Sequence, residues 1–176
     1  FIDGVVSGLS VGVPGTLSVL EMAHKEHGKL PWATLMQPAI YLAEHGFKLS
    51  PYLHRALLAE KFLMNDPVAA SYFYDAQGKP HPVGHVLKNP ELAEVFRDIA
   101  RRGAQALKQG PVAQALVDKV RRHPTRPGSM TLEDLGNYKA VKRAPLCFDH
   151  TAQTTGKTYQ LCGFPPPSSG TLAIGQ

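Results

Sequence analysis

The chain has 176 residues, 43% of them apolar, which is enough to bury a core and too many for a disordered segment. No stretch reaches the ~18 consecutive apolar residues of a membrane-spanning helix, so a span within these residues is excluded. The formal net charge is +5 at pH 7, with much of the excess in Arg97, Arg101, Arg102, Lys108, Lys119, Arg121, Arg122 and Arg126; no aromatics interleave with these cations, so a solvated helix exterior is favoured over a nucleic-acid patch.

Val5, Val6, Leu9, Val11 and Val13 are interleaved with Ser and Gly, strictly so from Leu9 to Val13, which predicts a strand ending at Pro14. Residues 16–27 then read as a helix with Leu20, Ala23 and His27 on one face and Gly28 as its stop. The next helix, 31–45, carries Trp32, Leu35, Met36, Ala39, Leu42 and Ala43 at helical spacing, with Pro38 as a kink and Gly46 as its end. Ser50-Pro51 sets an N-cap before a proline at the first helical position, and the apolar spacing carries this helix to Met64. Asp66-Pro67 repeats the device for a short helix toward Tyr74, and Asn89-Pro90 for a longer one to Gly103, with a turn and loop at 75–80 between them.

Pro111 to about Arg122 gives a further helix, ended by the Pro/Gly-rich stretch 124–128. Thr131 and Asp134 have the spacing of a capping box, with Asp in place of the commoner Glu or Gln, and open a short helix over 132–138. Two strands, 144–149 and 158–164, joined by a polar loop, predict a hairpin. Pro165, Pro166 and Pro167 then lack donors and hold φ near about −65°, so the chain leaves any sheet there, and Ser168 or Ser169 is placed to cap a helix beyond them. The expected fold class is mainly α with a few β-strands. Because Phe1 opens the chain and Gln176 falls inside the apolar run Leu172, Ala173, Ile174, the chain reads as a segment of a longer protein.

Chemistry is sparse. Cys147 and Cys162, the two cysteines, fall on the two strands of the hairpin and can lie opposite one another; a disulfide is open to them, whereas two thiols without histidines at the usual spacing cannot complete a zinc shell. His24 with His27, and His81 with His85, stand about one turn apart, yet neither pair has a third ligand near it in sequence. The glycines from Gly4 to Gly15 precede a helix N-terminus, which favours anions, but their spacing fits no phosphate-cradling motif and a conformational role is favoured. No Gly-x-Ser-x-Gly elbow surrounds Ser168 and Ser169, so capping is the better reading than nucleophilic attack. From residues alone no catalytic, cofactor-binding or metal-binding residue is assigned.

Five blocks in order carry a resemblance: Gly8-Leu9-Ser10-Val11-Gly12-Val13-Pro14-Gly15-Thr16; Leu30-Pro31-Trp32 with Gln37-Pro38-Ala39; Ala43-Glu44-His45-Gly46-Phe47; Met130-Thr131-Leu132-Glu133-Asp134-Leu135; and Pro165-Pro166-Pro167-Ser168-Ser169-Gly170. Together they resemble the gamma-glutamyltransferases (gamma-glutamyltranspeptidases), over nearly the whole chain. The resemblance implies a self-processing N-terminal-nucleophile hydrolase in which the first threonine of a small subunit attacks a gamma-glutamyl amide, with glutathione as donor and water, amino acids or peptides as acceptors. It places residues 1–176 as a partial domain from the middle to the C-terminal part of the large subunit, supplying the helical outer layer, a strand and a hairpin of an αββα sandwich.

The family's catalytic threonine begins a Thr-x-His type of sequence, which this chain lacks, and its substrate-carboxylate arginine lies upstream of the first block. The resemblance therefore transfers no catalytic residue, and it implies no cofactor. The small subunit is the implied partner, the bacterial periplasm or exterior the implied location, and self-association of the isolated segment is expected through the face the small subunit would cover. Thr171 stands where the family usually has a second glycine, and the 147–162 hairpin looks longer than usual. These departures keep open a relative acting on another amide, and a non-catalytic helical module is the rival from another class.

Overall fold

A proline with a neighbouring side-chain cap sets three of the helix starts among the described residues. The computed structural model describes residues 2–168. Helices α1 (Ile2–Val5), α2 (Thr16–His27) and α3 (Trp32–His45) come first, and α3 carries Pro38 in its interior. Helix α4 (Pro51–Ala59) begins under Ser50, whose hydroxyl accepts the Leu53 N–H at 3.1 Å. Helix α5 (Pro67–Phe73) begins under Asp66, which accepts from Val68 and Ala69 at 3.0 Å each, and α6 (Pro90–Arg102) under Asn89, which accepts from Leu92 at 2.9 Å. A proline at the first helical position gives up no hydrogen bond and arrives with its φ already set. Helix α7 (Pro111–Arg121) comes after Gly110 at φ 90°, a left-handed backbone that glycine adopts without a Cβ penalty. Helix α8 (Leu132–Asn137) closes the expected capping box: Asp134 N–H donates to Thr131 Oγ1 at 3.1 Å, and Thr131 N–H to the Asp134 carboxylate at 2.8 Å.

The fold is mainly α, and the chain divides into two compact units, residues 1–139 and 140–176. In the first unit α3 packs on α6, and the Trp32 indole N–H donates to the Ile99 carbonyl at 2.9 Å. Strands β1 (Phe47–Lys48) and β2 (Val86–Leu87) form a two-residue antiparallel pair. Beside it Leu49, Leu57, Tyr74 and Leu87 make one apolar cluster; Ala113, Val117, Val120, Met130 and Leu135 make another, with Val13 packed against it. In the second unit β3 (Leu146–Thr151) pairs antiparallel with β4 (Thr158–Gly163), in a register that sets Cys147 opposite Cys162, and the two are bonded as a disulfide.

Three expectations are corrected. The strand at Leu9–Val13 is replaced by a 3₁₀ turn, Gly8–Ser10, and an unpaired extended segment. Ser7 Oγ accepts the Leu9 N–H, Ser10 Oγ donates to the Val5 carbonyl at 2.7 Å, and Gly8 N–H donates to the Arg126 carbonyl at 3.0 Å. These local serine bonds give the backbone an alternative to a sheet ladder. The helix expected to reach Met64 stops at Ala59, where the Glu60 carboxylate accepts the N–H groups of Lys61 and Phe62 and turns the chain out of the helix; a 3₁₀ turn, Leu63–Asn65, comes next. The first hairpin strand starts at Leu146 rather than Ala144, after Pro145, which has no N–H for a ladder. Ser169 and Thr171, and the helix expected beyond the prolines, lie outside the described residues.

Candidate functional site

A recess of about 1110 Å³ opens in the first unit, lined by the segment after α4 and by α7 with the loop at its end. Its charged walls are Glu60 and Asp66 on one side and Asp118, Lys119, Arg122 and Arg126 on the other, with Phe62 and Leu63 as apolar lining. Most of these charges already have mates. Lys119 reaches the Asp66 carboxylate across the recess, and Arg122 lies 3.4 Å from Asp118, which also accepts from Gln114 at 2.9 Å. The Lys119 ammonium, helped by the cap N–H groups of α5, holds the Asp66 carboxyl below its ordinary range. The Phe62 N–H, with those of Lys61 and Leu63, does the same for Glu60. Both groups are carboxylates near neutrality, so neither is poised to give up a proton as a general acid.

The recess holds one hydroxyl close to an imidazole, Thr125 Oγ1 at 3.4 Å from His123 Nδ1. That nitrogen also accepts the Arg126 N–H at 3.3 Å. A long contact to a nitrogen already engaged by backbone is loop structure rather than an activated nucleophile. The polar groups described in the recess are thus engaged with one another, in ion pairs, helix caps and loop bonds.

Within the described residues, the structure places the side chains that the sequence singles out. His24 engages the Leu30 carbonyl at 2.8 Å and meets Trp32 edge-on, while His27 lies 3.5 Å from Glu26, so the pair does not converge. His81 and His85 stack at 3.9 Å, and His54 Nδ1 lies 3.0 Å from the His81 carbonyl. Among the described residues no group of three or more His, Cys, Asp and Glu side chains is placed to hold a metal ion. Gly8 fits against the backbone of Gly128 and Arg126, which supports the conformational role. Ser168 N–H donates to the Pro165 carbonyl at 3.2 Å, closing a turn at the prolines. Of the cations read as helix exterior, Arg97 pairs with Glu44 and Glu94 at 2.6 and 2.7 Å and Arg102 with Asp98 at 2.8 Å, while the Lys108 ammonium donates to the Tyr138 carbonyl at 2.6 Å. Sequence reasoning assigned Asp66 only a capping role and missed its pairing with Lys119, because the partners lie 53 positions apart with no local pattern to join them.

Residues 3–176 match the family model described as Gamma-glutamyltranspeptidase. The glutathione hydrolase proenzyme of Arthroderma benhamiae is 37% identical over 171 residues, which cover 95% of this chain and 28% of that protein. Among solved structures, the gamma-glutamyltranspeptidase of Helicobacter pylori is similar with a TM-score of 0.82 at 28% identity, over 94% of this chain and 45% of that one. The transpeptidase CapD of Bacillus anthracis is similar with a TM-score of 0.76 at 30% identity, over 93% of this chain and 53% of that one. The chain thus spans 28% of the length of the curated relative and about half of each solved chain.

Proposed function

We propose a function from one premise: the chain belongs to the gamma-glutamyltranspeptidase family. The full protein is an enzyme that cleaves the gamma-glutamyl amide of glutathione or a related compound and passes the acyl group to water or to an amino-acid or peptide acceptor. Residues 1–176 are the middle to late part of its large subunit, the helical outer layer of an αββα sandwich, and hold no catalytic residue. The reacting group is the N-terminal threonine of a small subunit released when the precursor cuts itself. Its hydroxyl attacks the amide carbonyl, its own α-amine takes the proton, and the amine half of the substrate departs; water or an acceptor amine then breaks the ester.

The observation that carries this reading is a family match running through almost every residue of the chain. The proenzyme of Arthroderma benhamiae supports a precursor that is processed. The Cys147–Cys162 bridge supports an oxidising location, the periplasm or exterior of a bacterium.

A second reading, a family member acting on a different amide, is favoured by the likeness to the cephalosporin acylase of Bacillus halodurans, with a TM-score of 0.66 at 26% identity. Thr171 and the hairpin are where such a divergence would be built. Assaying the full-length processed protein with gamma-glutamyl and other acyl anilides separates the two: release from the gamma-glutamyl compound is expected, and release only from another acyl group would replace the first reading by the second. A full-length protein with no Thr-x-His start and no turnover of either substrate would overturn both.

A further inference from the structure

Two imidazoles are held face to face by backbone bonds beside the Leu49 cluster. His81 and His85 flank a tight turn in which Gly84 takes φ 90°, a left-handed backbone suited to glycine, and the His85 N–H donates to the Pro82 carbonyl at 3.0 Å. The turn is fastened on both sides. The Gly84 N–H donates to the carbonyl of the buried Leu49 at 2.9 Å, the Leu49 N–H to the His85 carbonyl at 2.8 Å, and the His81 N–H to the Phe73 carbonyl at 3.0 Å. From α4, His54 Nδ1 lies 3.0 Å from the His81 carbonyl; a carbonyl oxygen only accepts, so that nitrogen carries a proton. These bonds leave the rings of His81 and His85 with centroids 3.9 Å apart and planes 9° from parallel. Nitrogen lone pairs lie in the ring planes, so those of two parallel rings do not converge as the ligands of one metal ion must.

We propose that the His81–His85 stack is an acid-sensitive latch that holds residues 81–85 against Leu49. With both rings neutral, or with one protonated, stacking is unopposed; with both protonated, two like charges face each other across the stack. Among the described residues no ion pair joins either ring to a carboxylate, the one histidine so paired being His27. The charged groups on the elements that hold the loop do not relieve the repulsion. Lys48 on β1, Arg55 on α4, Lys79 before the turn and Lys88 after β2 are cations, and His54 adds a third imidazole whose bond to the His81 carbonyl survives protonation. The carboxylates there serve their own backbone, Asp75 accepting the N–H groups of Gln77 and Lys79 and Glu60 those of Lys61 and Phe62, while the Tyr74 hydroxyl donates to the Leu57 carbonyl. Above about pH 7 histidines are neutral and the repulsion is absent; it develops as pH falls through the ordinary histidine value, about 6.5, so the closed loop is lost toward acid and not toward alkali. Opening releases both backbone groups of Leu49 and loosens the cluster it shares with Leu57, Tyr74 and Leu87. Cover from the rest of the protein removes water and strengthens the repulsion, so the latch needs no exposed surface.

The test uses the full-length processed protein, in which every surface has its native cover, and reads backbone hydrogen exchange by peptide mass analysis between about pH 7.5 and about pH 5. Exchange across Leu49 and residues 81–87 is divided by that of α6 in the same sample, which cancels the intrinsic pH dependence of exchange. This ratio is expected to rise at least about fivefold toward acid, the effect of two unit charges about 4 Å apart in bulk water. His81→Phe and His85→Phe each keep an aromatic stack and remove one of the two charges, and each should hold the ratio flat. A wild-type ratio that does not change with pH overturns the proposal, as does a rise of the same size in both variants. Where a variant fails to fold, the wild-type ratio decides alone. None of these outcomes depends on which amide the enzyme cleaves.

Discussion

Asp66 does two jobs at once, with one carboxylate oxygen capping α5 and the other receiving Lys119 from α7. The jobs can be separated by substitution. Asp66→Ala removes both and is expected to cost about 1–2 kcal/mol, mostly the lost cap, because an ion pair this open to solvent adds little. Asp66→Asn keeps an accepting oxygen for the cap and should cost about 0.5 kcal/mol; urea unfolding of the two variants checks the order, and equal losses would refute it. The same residue contributes to acid sensitivity. Asp66, Glu60 and Asp134 are held below the ordinary carboxylate range, chiefly by Lys119, by the Phe62 N–H and by Thr131 respectively. A carboxyl depressed in the folded state stabilises it fully above the unfolded value, about pH 4, and loses that contribution as pH falls through the lower folded value. The melting temperature should therefore decline on acidification below about pH 4, and decline less in Asp66→Asn; parallel profiles would contradict the assignment. Gly8 makes a separate case: a Cβ there would lie 2.5 Å from the Gly128 nitrogen and 3.1 Å from the Arg126 oxygen, both backbone, whereas one at Gly12 meets nothing within 4 Å. Gly8→Ala is expected to cost about 2–3 kcal/mol while Gly12→Ala costs under about 1, read by thermal unfolding.

At the scale of the element, the hairpin shows how a covalent link substitutes for packing. Both apolar clusters of the described residues, around Leu57 and around Val117, belong to the first unit, and β3 and β4 form a sheet of their own. A two-stranded sheet is marginal in water, and a bridge closing a loop of this size adds roughly 3 kcal/mol in the chain-entropy model. Replacing Cys147 and Cys162 by serine should speed backbone hydrogen exchange across residues 146–151 and 158–163 while leaving α4 and α6 unchanged. Equal protection in both proteins would show that the strands need no clasp. The pairing was legible in the sequence as far as two facing strands with a cysteine on each, and the register makes it a bond. The helix starts at Pro51, Pro67, Pro90 and Leu132 were legible for the same reason: a cap and its first turn act over three residues. Where the decisive bond is long-range the sequence was mute. The Gly8–Ser10 turn adds to its local serine bonds one from the Gly8 N–H to the distant Arg126 carbonyl, which no sequence pattern announces, and β1 and β2 are two residues each, too short to show any period. The recess was invisible for that reason too, since its walls come from two stretches far apart in the chain.

For the molecule as a whole, the question is what covers its apolar exterior. Scattered exposed aliphatics are normal on any protein. Here, however, successive helices present them: Val19 and Leu20 on α2, Tyr41 and Leu42 on α3, and Tyr52 and Leu58 on α4, with Tyr52 76% exposed and Val68 at the start of α5 72%. Side chains that large, left in water, each forgo roughly 1.5–3 kcal/mol of burial. The chain spans 28% of its curated relative, and under the proposed function the remainder of the large subunit and the small subunit supply the missing cover. The isolated 176-residue segment should therefore bind a hydrophobic dye and self-associate, whereas the full-length processed protein should do neither to the same degree. Light scattering and dye fluorescence on both samples decide this, and a monodisperse, dye-silent segment would count against a covered face. The segment should also release nothing from a gamma-glutamyl anilide under conditions in which the full-length protein turns over, because on this reading the attacking threonine and the carboxylate-binding arginine belong to other parts of the chain. Turnover by the purified segment would move the chemistry back inside these residues, and the Asp66, Lys119 and His123 recess would then be the first place to substitute.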